Sequence, residues 1–189
     1  DPFLQQTRRN KAYRIHHHNN DSEIPMQKAF GETREVILKY PISEAEEERN
    51  HTYLSYNKVI GTSLDKELYY AMQIIDYAVC SASGAPLKLA LIHKNIGTEV
   101  YSIYENGIYQ PYFSIVAKNA NAVQKDEFVA TIEDELARIV KEGLDKKALL
   151  AGLNYYEFKY READFGSYPK GLMYGLQALD SWLYDDSKP

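Results

Sequence analysis

The corner between two long helical patterns, residues 160–170, is the densest group of residues that could do chemistry. Arg161 and Lys170 could bind a peptide carboxylate, because both carry charged donors for an anion. Tyr168 and Phe165 would give an aromatic platform beside them. The alternative is an ion-paired turn that fixes two helices, a common role of charges at helix ends. Arg161, Lys170 and Tyr168 are therefore candidates for substrate binding, and no catalytic residue is assigned.

A serine nucleophile is a second possibility, since residues 63–66 match the pattern S-x-x-K. That chemistry also needs partner motifs such as S-D-N and K-T-G, and the sequence contains neither. A serine before a helix is a common N-cap, and the lysine can face water. We therefore expect Ser63 to cap a helix.

A hydrolytic zinc site would show two histidines one helical turn apart with a carboxylate between them, as in H-E-x-x-H or H-x-x-E-H. Outside the run at residues 16–18, the histidines are His51 and His93, and neither has a companion at ligand spacing. Neighbouring side chains of an extended run diverge, so the triplet is assigned to a solvated or artificial arm. We expect this chain to bind no metal.

Size and charge bound the class of protein. A chain of 189 residues with 44% hydrophobic residues has enough material for one well-buried core. Its net charge of -5 lacks the clustered lysine and arginine of a nucleic-acid surface. We expect one domain that binds neither DNA nor RNA.

The number of cysteines and the hydropathy of the sequence indicate the cellular compartment. The single cysteine, Cys80, cannot form an internal disulfide, which favours a reducing compartment. We expect no apolar run to reach the roughly 20 residues of a membrane span, and no signal-peptide pattern is present. The expected location is the cytoplasm, or an organelle interior in a eukaryote, without membrane contact. The chain begins at Asp1, so we expect it to be a piece of a longer protein.

The order of the expected elements indicates the fold. Residues 1–20 lack a regular pattern and are expected to form an unstructured linker or arm, leaving 21–189 as a single domain. Strands are expected at 35–42, 52–60, 99–104 and 112–118. Helices are expected at about 63–79, 87–94, 121–143, 145–163 and 169–183, with Gly171 and Gly175 permitting a close approach. This order predicts an α+β two-layer sandwich, a largely antiparallel sheet with helices packed on one face.

Four segments carry a family resemblance: TYLSYNKVIGTSLDKELYYAMQIIDYA, GAPLKLALI, YENGIYQPYFSIVAKNAN and GLDKKALLAGLNYYEFKYREADFGSYPKGLMYGLQALDSWLYDD. They resemble the second domain of presequence-protease-like enzymes, in the insulinase and pitrilysin family of zinc metallopeptidases. The resemblance spans 21–189 and leaves out 1–20. It implies four similar α/β domains in two halves that close around an unfolded peptide.

In that family the first domain holds zinc on H-x-x-E-H and a later glutamate, and the second repeats its fold without the metal. The place of the zinc helix corresponds here to residues 68–79, which offer Asp76 and no histidine. The resemblance thus implies a non-catalytic domain, inactive alone and without zinc, that forms part of the substrate chamber wall of a zinc metalloendopeptidase. It also implies sister domains and unfolded peptides as partners, and the fragment is expected to self-associate. The alternative is an independent peptide- or protein-interaction module without a peptidase role.

Overall fold

The computed structural model describes residues 25–44, 49–162 and 165–188, which contain an antiparallel sheet and a set of helices. The strands are β1 (Thr52–Val59), β2 (Glu99–Glu105) and β3 (Tyr112–Ala120), in the order β1-β3-β2. The helices are α1 (Lys66–Asp76), α2 (Pro86–His93), α3 (Lys125–Glu142), α4 (Lys146–Arg161) and α5 (Lys170–Trp182). A π-helical turn, Tyr77–Ser81, continues α1. The predicted α+β fold is confirmed.

The central strand is β3, which pairs antiparallel with both neighbours. Its ladder with β2 begins where Glu105 lies opposite Tyr112. Pro111 lacks an N–H group, which is why the regular pairing was predicted to start at Tyr112. The hairpin is therefore as expected from the sequence.

One face of the sheet carries the hydrophobic core. Val100, Ile115 and Ala117 pack there against helical residues such as Leu91 and Phe128, all almost completely buried. Burying a leucine or phenylalanine side chain stabilises the fold by about 2 kcal/mol. The core thus holds α2 and α3 on the sheet.

Short-range capping signals set the ends of most helices. Asp145 begins α4 and accepts a hydrogen bond from the Lys147 amide, at 3.0 Å, as its position predicted. Asn121 and Gln124 form a reciprocal capping box before α3, also as predicted. The prediction for α1 is wrong, because its N-cap is Asp65 rather than Ser63. A carboxylate one residue before the helix reaches the free amides that Ser63 would have to reach from further away.

Residues 35–42 do not form the predicted strand. Val36, Ile37 and Leu38 favour extended structure, yet their side chains are largely exposed. A strand also needs a neighbouring backbone to pair with, and in the described part of the chain this segment has none. Its ends are held by side chains instead: Lys125 donates to the Glu35 carboxylate at 2.9 Å, and the Tyr40 hydroxyl donates to the backbone carbonyl of His51.

One segment, Lys66–His93, is long and apolar enough by composition alone to cross a membrane, contrary to the expectation from the sequence. It is not one continuous helix, because residues 82–85 separate the π-helical turn from α2. Cys80, Leu87 and Leu91 are buried in the core of the domain. The apolar composition of this segment thus matches its packing against the sheet.

Helix α4 packs against α1 and the π-helical turn that continues it. The contact is closest at Gly152, where an added Cβ would lie 3.2 Å from the Ile74 carbonyl oxygen. The rings of Tyr77 and Tyr155 stack beside it at 5.4 Å. The close approach predicted at Gly171 and Gly175 is not seen, since no atom of the described residues lies within 4 Å of a Cβ built at either.

Contacts divide the chain into two units, Asp1–Arg34 and Glu35–Pro189, and the sheet and the helices named above belong to the second. In the first unit the structure describes 25–34, without regular secondary structure, where the Arg34 guanidinium lies 3.9 Å from the Phe30 ring centre. The predicted arm and its histidine triplet lie outside the described residues. The boundary at residue 21 stays a prediction.

Candidate functional site

A cavity of about 330 Å³ lies between α1, α4 and α5, beside the end of β2. Polar side chains that belong to four different elements line it. We call it the tyrosine cavity and define it by Tyr69, Tyr104, Tyr156, Tyr160, Asp76 and Asp180. Its rings supply apolar wall, and its hydroxyls and carboxylates supply hydrogen-bonding groups.

Helix α1 contributes an unusual polar face to this cavity. Tyr69, Gln73 and Asp76 follow one another at the spacing of a single helix face, and all three are buried. Ile75, on another side of the helix, packs against the hydrophobic core. Helix α1 is therefore covered on both sides, by the core and by α4 and α5.

Hydrogen bonds across the tyrosine cavity join the three helices. The Tyr69 hydroxyl donates to an Asp180 carboxylate oxygen at 2.8 Å. The Tyr160 hydroxyl donates to Gln73 at 2.9 Å and accepts from the Gln177 amide at 3.0 Å. Each such bond contributes about 1 kcal/mol and requires a defined orientation of both partners. The cavity wall is therefore preorganised.

Tyr104 contributes a hydroxyl of another kind. Its oxygen is buried and has no hydrogen-bond partner among the described residues. Its ring makes an edge contact with the Tyr69 ring, with centres 6.5 Å apart. Leaving a buried hydroxyl without a partner costs about 1 to 3 kcal/mol, so a hydrogen bond to this group would stabilise the domain.

Burial sets the ionisation of the cavity. It raises the pKa of Asp180, while the hydrogen bond from Tyr69 and the charge of Lys66 act in the opposite direction. It also raises the pKa of Tyr69 far above its ordinary range and that of Tyr156 to about 12. The tyrosines are therefore neutral at pH 7 and act as hydrogen-bond donors and acceptors.

Asp76 is held by serine hydroxyls rather than by cations. Ser81 donates to it at 2.7 Å, and Ser102 donates to its other oxygen. Burial raises the pKa of the carboxyl, and the two serine hydrogen bonds partly offset this. A zinc site needs about four ligands of the His, Cys or carboxylate type. The described residues contain no cluster of three such groups, so they do not fit the metal implied by the family.

The predicted substrate-binding residues lie at the corner between α4 and α5, outside the lining of the tyrosine cavity. Arg161 forms an ion pair with Glu157 of its own helix, at 2.6 Å. The Lys170 ammonium donates to the backbone carbonyl of Glu162 at 3.2 Å, and Tyr168 is exposed. The role of these three residues in substrate binding stays a prediction.

A second cavity, of about 610 Å³, adjoins the first. Tyr155 and Phe158 line it on the α4 side. Lys159, Phe165 and Met173 line both cavities, so the two form neighbouring parts of one depression between α4 and α5. Its aromatic and thioether side chains suit an apolar group.

Sequence reasoning missed the tyrosine cavity. Tyr104 and Asp180 lie 76 residues apart in number, on a strand and a helix, and no local pattern connects them. One usable signal was present in α1, where Tyr69, Gln73 and Asp76 place polar groups at helical spacing in an otherwise apolar helix. That pattern predicts a buried polar face.

The fold and the possible metal ligands place the chain in a class of protein: an α+β domain whose described residues contain no metal-binding cluster. Residues 12–155 match the peptidase M16 inactive domain family, so the chain belongs to that family. The resemblance to the second, non-catalytic domain of insulinase-family enzymes is confirmed. The match begins inside the segment expected to be an arm.

Two curated relatives support the assignment. The chain is 41% identical to Protein HypA of Clostridium perfringens over 165 residues, 87% of this chain and 17% of that protein. It is 29% identical to Presequence protease 1, chloroplastic/mitochondrial, of Arabidopsis thaliana over 168 residues, 88% of this chain and 16% of that protein. The chain thus spans about a sixth of the length of these relatives.

Proposed function

We propose that this chain is a non-catalytic domain of a zinc metalloendopeptidase that degrades unfolded peptides. In this proposal it forms part of the wall of the substrate chamber and supports the zinc-bearing domain. The observation that carries the proposal is the match of residues 12–155 to the peptidase M16 inactive domain family. The relative named as a presequence protease supports a peptide substrate.

The surroundings of Asp76 support a non-catalytic role for this domain. Asp76 lies in the helix that corresponds to the zinc helix of a catalytic domain, and its oxygens accept hydrogen bonds from two serines. A zinc-bound water would supply the nucleophile in the parent enzyme, from a different domain. This domain would contribute shape and binding surface.

Partners and location follow from the same proposal. The partners are the sister domains of the same polypeptide and the unfolded peptide that they enclose. The location is the cytoplasm or an organelle interior, and the name of the Arabidopsis relative, chloroplastic/mitochondrial, favours an organelle for a plant enzyme. No nucleic-acid or membrane partner is proposed.

The test has two parts. The reading frame upstream of this chain should encode H-x-x-E-H followed by a glutamate in a preceding α/β domain. The full parent protein should cleave an unstructured peptide, followed by mass spectrometry, and should lose this activity with a chelator or after substitution of the motif glutamate by glutamine. The 189-residue chain alone should cleave nothing and hold no stoichiometric zinc after dialysis.

The alternative is an independent interaction module that binds peptides or proteins without a peptidase role. A reading frame that starts near Asp1, or a parent protein without peptidase activity, would favour the module. Both hypotheses assign no metal to this chain, so zinc bound by the chain alone would contradict each of them. The upstream sequence therefore decides between them first.

A further inference from the structure

The tyrosine cavity carries an excess of negative charge. Asp76 and Asp180 line it, and Lys159 is the cation among its lining residues. Within the part of the chain that the structure describes, neither aspartate forms an ion pair with a lysine or arginine. Lys66 acts on Asp180 only at longer range, and Glu105 opposes its effect. A cation that enters this cavity therefore meets a carboxylate without a counter-ion.

Two further features of the wall suit a cation. Among the residues that the structure describes, the buried oxygen of the Tyr104 hydroxyl has no partner, and it can accept a hydrogen bond from an N–H donor. Tyrosine faces attract ammonium groups, an attraction that strengthens where water is excluded. One wall residue already has a cation nearby: the ammonium of Lys66, which does not line the cavity, lies 5.7 Å from the Tyr69 ring centre.

The size of the cavity favours a side chain over a single ion. Its volume of about 330 Å³ is far larger than the roughly 30 Å³ of one water molecule in the liquid. The adjoining cavity, lined by Phe158, Phe165 and Met173 among others, gives an apolar continuation. An ammonium on an alkyl chain, next to an apolar residue, matches both parts.

We propose that the tyrosine cavity binds a primary ammonium group of an unfolded peptide, with Asp180 as counter-ion and Tyr104 as hydrogen-bond acceptor. The ammonium can come from a lysine side chain or from the amino terminus of the peptide. An apolar neighbouring residue of the peptide occupies the adjoining cavity. The choice of a peptide as ligand rests on the proposed function, while the ammonium specificity rests on the cavity itself.

The test uses the 189-residue chain and three dye-labelled peptides of one leucine-rich, unstructured design, with binding measured by fluorescence polarisation. The first has one lysine and an acetylated amino terminus. The second has norleucine in place of the lysine and a free amino terminus. The third has norleucine and an acetylated terminus, and so has no ammonium.

The first or second peptide should bind at least about tenfold more tightly than the third, and their order identifies the source of the ammonium. Asp180→Asn keeps the shape and removes the charge, so it should abolish most of this preference. Tyr104→Phe should weaken it about threefold or more. Asp126→Asn and Tyr53→Phe change exposed groups outside the cavity and should leave the ammonium preference unchanged.

Equal binding of all three peptides, or an unchanged preference in Asp180→Asn, would overturn the proposal. The circular dichroism spectrum of Asp180→Asn shows whether the variant folds like the unaltered chain. If it does not, the binding of the three peptides to the unaltered chain tests the proposal. The result is separate from the proposed function. If the parent protein cleaves peptides and this chain shows no ammonium preference, only the ammonium site is contradicted. If this chain shows the preference and the parent protein cleaves no peptide, only the peptidase role is contradicted.

Discussion

The Tyr69 hydroxyl on α1 donates a hydrogen bond of 2.8 Å to Asp180 on α5, across 111 positions of sequence. This bond joins the helix that packs on the sheet to the last helix of the chain. Both groups line the tyrosine cavity, so a single interaction serves structure and the proposed ammonium site. The two roles can be separated, because Tyr69→Phe removes the hydrogen bond and keeps the Asp180 carboxylate, whereas Asp180→Asn removes the charge and keeps an acceptor oxygen.

Tyr69→Phe should destabilise the chain by about 1 to 2 kcal/mol at pH 7. The substitution keeps the buried ring but leaves the partly buried Asp180 carboxylate without its donor, and hydrogen bonds to charged groups exceed neutral ones in strength. Urea unfolding measures the change. Tyr168→Phe removes an exposed hydroxyl and should stay within about 0.5 kcal/mol. Equal effects of the two substitutions would contradict the role of the bond.

Asp76 should make stability depend on pH. Burial raises the pKa of this carboxyl in the folded chain, so the folded state holds the proton more strongly than the unfolded state. Its contribution to the free energy of unfolding therefore falls as pH rises from about 3.9, the ordinary pKa of aspartate, through the raised folded value.

Asp76→Asn removes this titration while keeping the shape of the side chain. The free energy of unfolding of the variant, relative to the unaltered chain, should thus improve as pH rises from about 3.5 to 7. Urea titrations at several pH values measure the difference. Asp126→Asn, at an exposed carboxylate, serves as the control. A difference that does not change with pH would rule out the raised pKa.

Gly152→Ala should destabilise the chain by about 1 to 3 kcal/mol. The added Cβ would lie 3.2 Å from both the Ile74 carbonyl oxygen and a ring carbon of Tyr77, so α4 must move away from α1. Gly175→Ala is the matched control in α5, with nothing within 4 Å of the added Cβ. It should stabilise by about 0.5 to 1 kcal/mol through helix propensity. Thermal unfolding of both variants measures the changes in stability. Changes of the same sign would contradict the close packing of α4 on α1 at Gly152.

Cys80 should react slowly with thiol reagents in the native chain. Its side chain is completely buried, and burial raises the pKa of the thiol to about 11, so little thiolate forms at pH 8. Labelling with a disulfide reagent at pH 8 should be much faster in urea than in buffer. Rapid labelling of the folded chain would show that the core around α1 opens readily.

The chain should self-associate through the exposed apolar side chains of α4 and α5, among them Leu150 and Leu172. Sedimentation velocity at increasing concentration measures this. A chain with both Leu150→Glu and Leu172→Glu should remain monomeric, because charges oppose burial of the face. Val123→Glu changes an exposed residue outside these helices and should have no effect. A strictly monomeric unaltered chain would contradict the prediction.

Family and element types could be predicted from the sequence because they depend on local patterns. Pro86 begins α2, Asn121 and Gln124 form the capping box of the short 3-10 turn that leads into α3, and Asp145 caps α4, as expected. Each of these signals acts over a few residues. The long motif at 143–186 likewise indicated the family.

Only the tertiary structure decided which residues form a site. Residues 35–42 have the composition of a strand, yet pairing depends on a distant backbone. Asp180, Tyr69 and Tyr104 come together because α4 and α5 fold back over α1. Within the described segments the Tyr104 hydroxyl lacks a partner for the same reason, since elements far apart in the chain set both its burial and its possible partners. The sequence by itself determined the helices and strands, and the packing of those elements created the cavity.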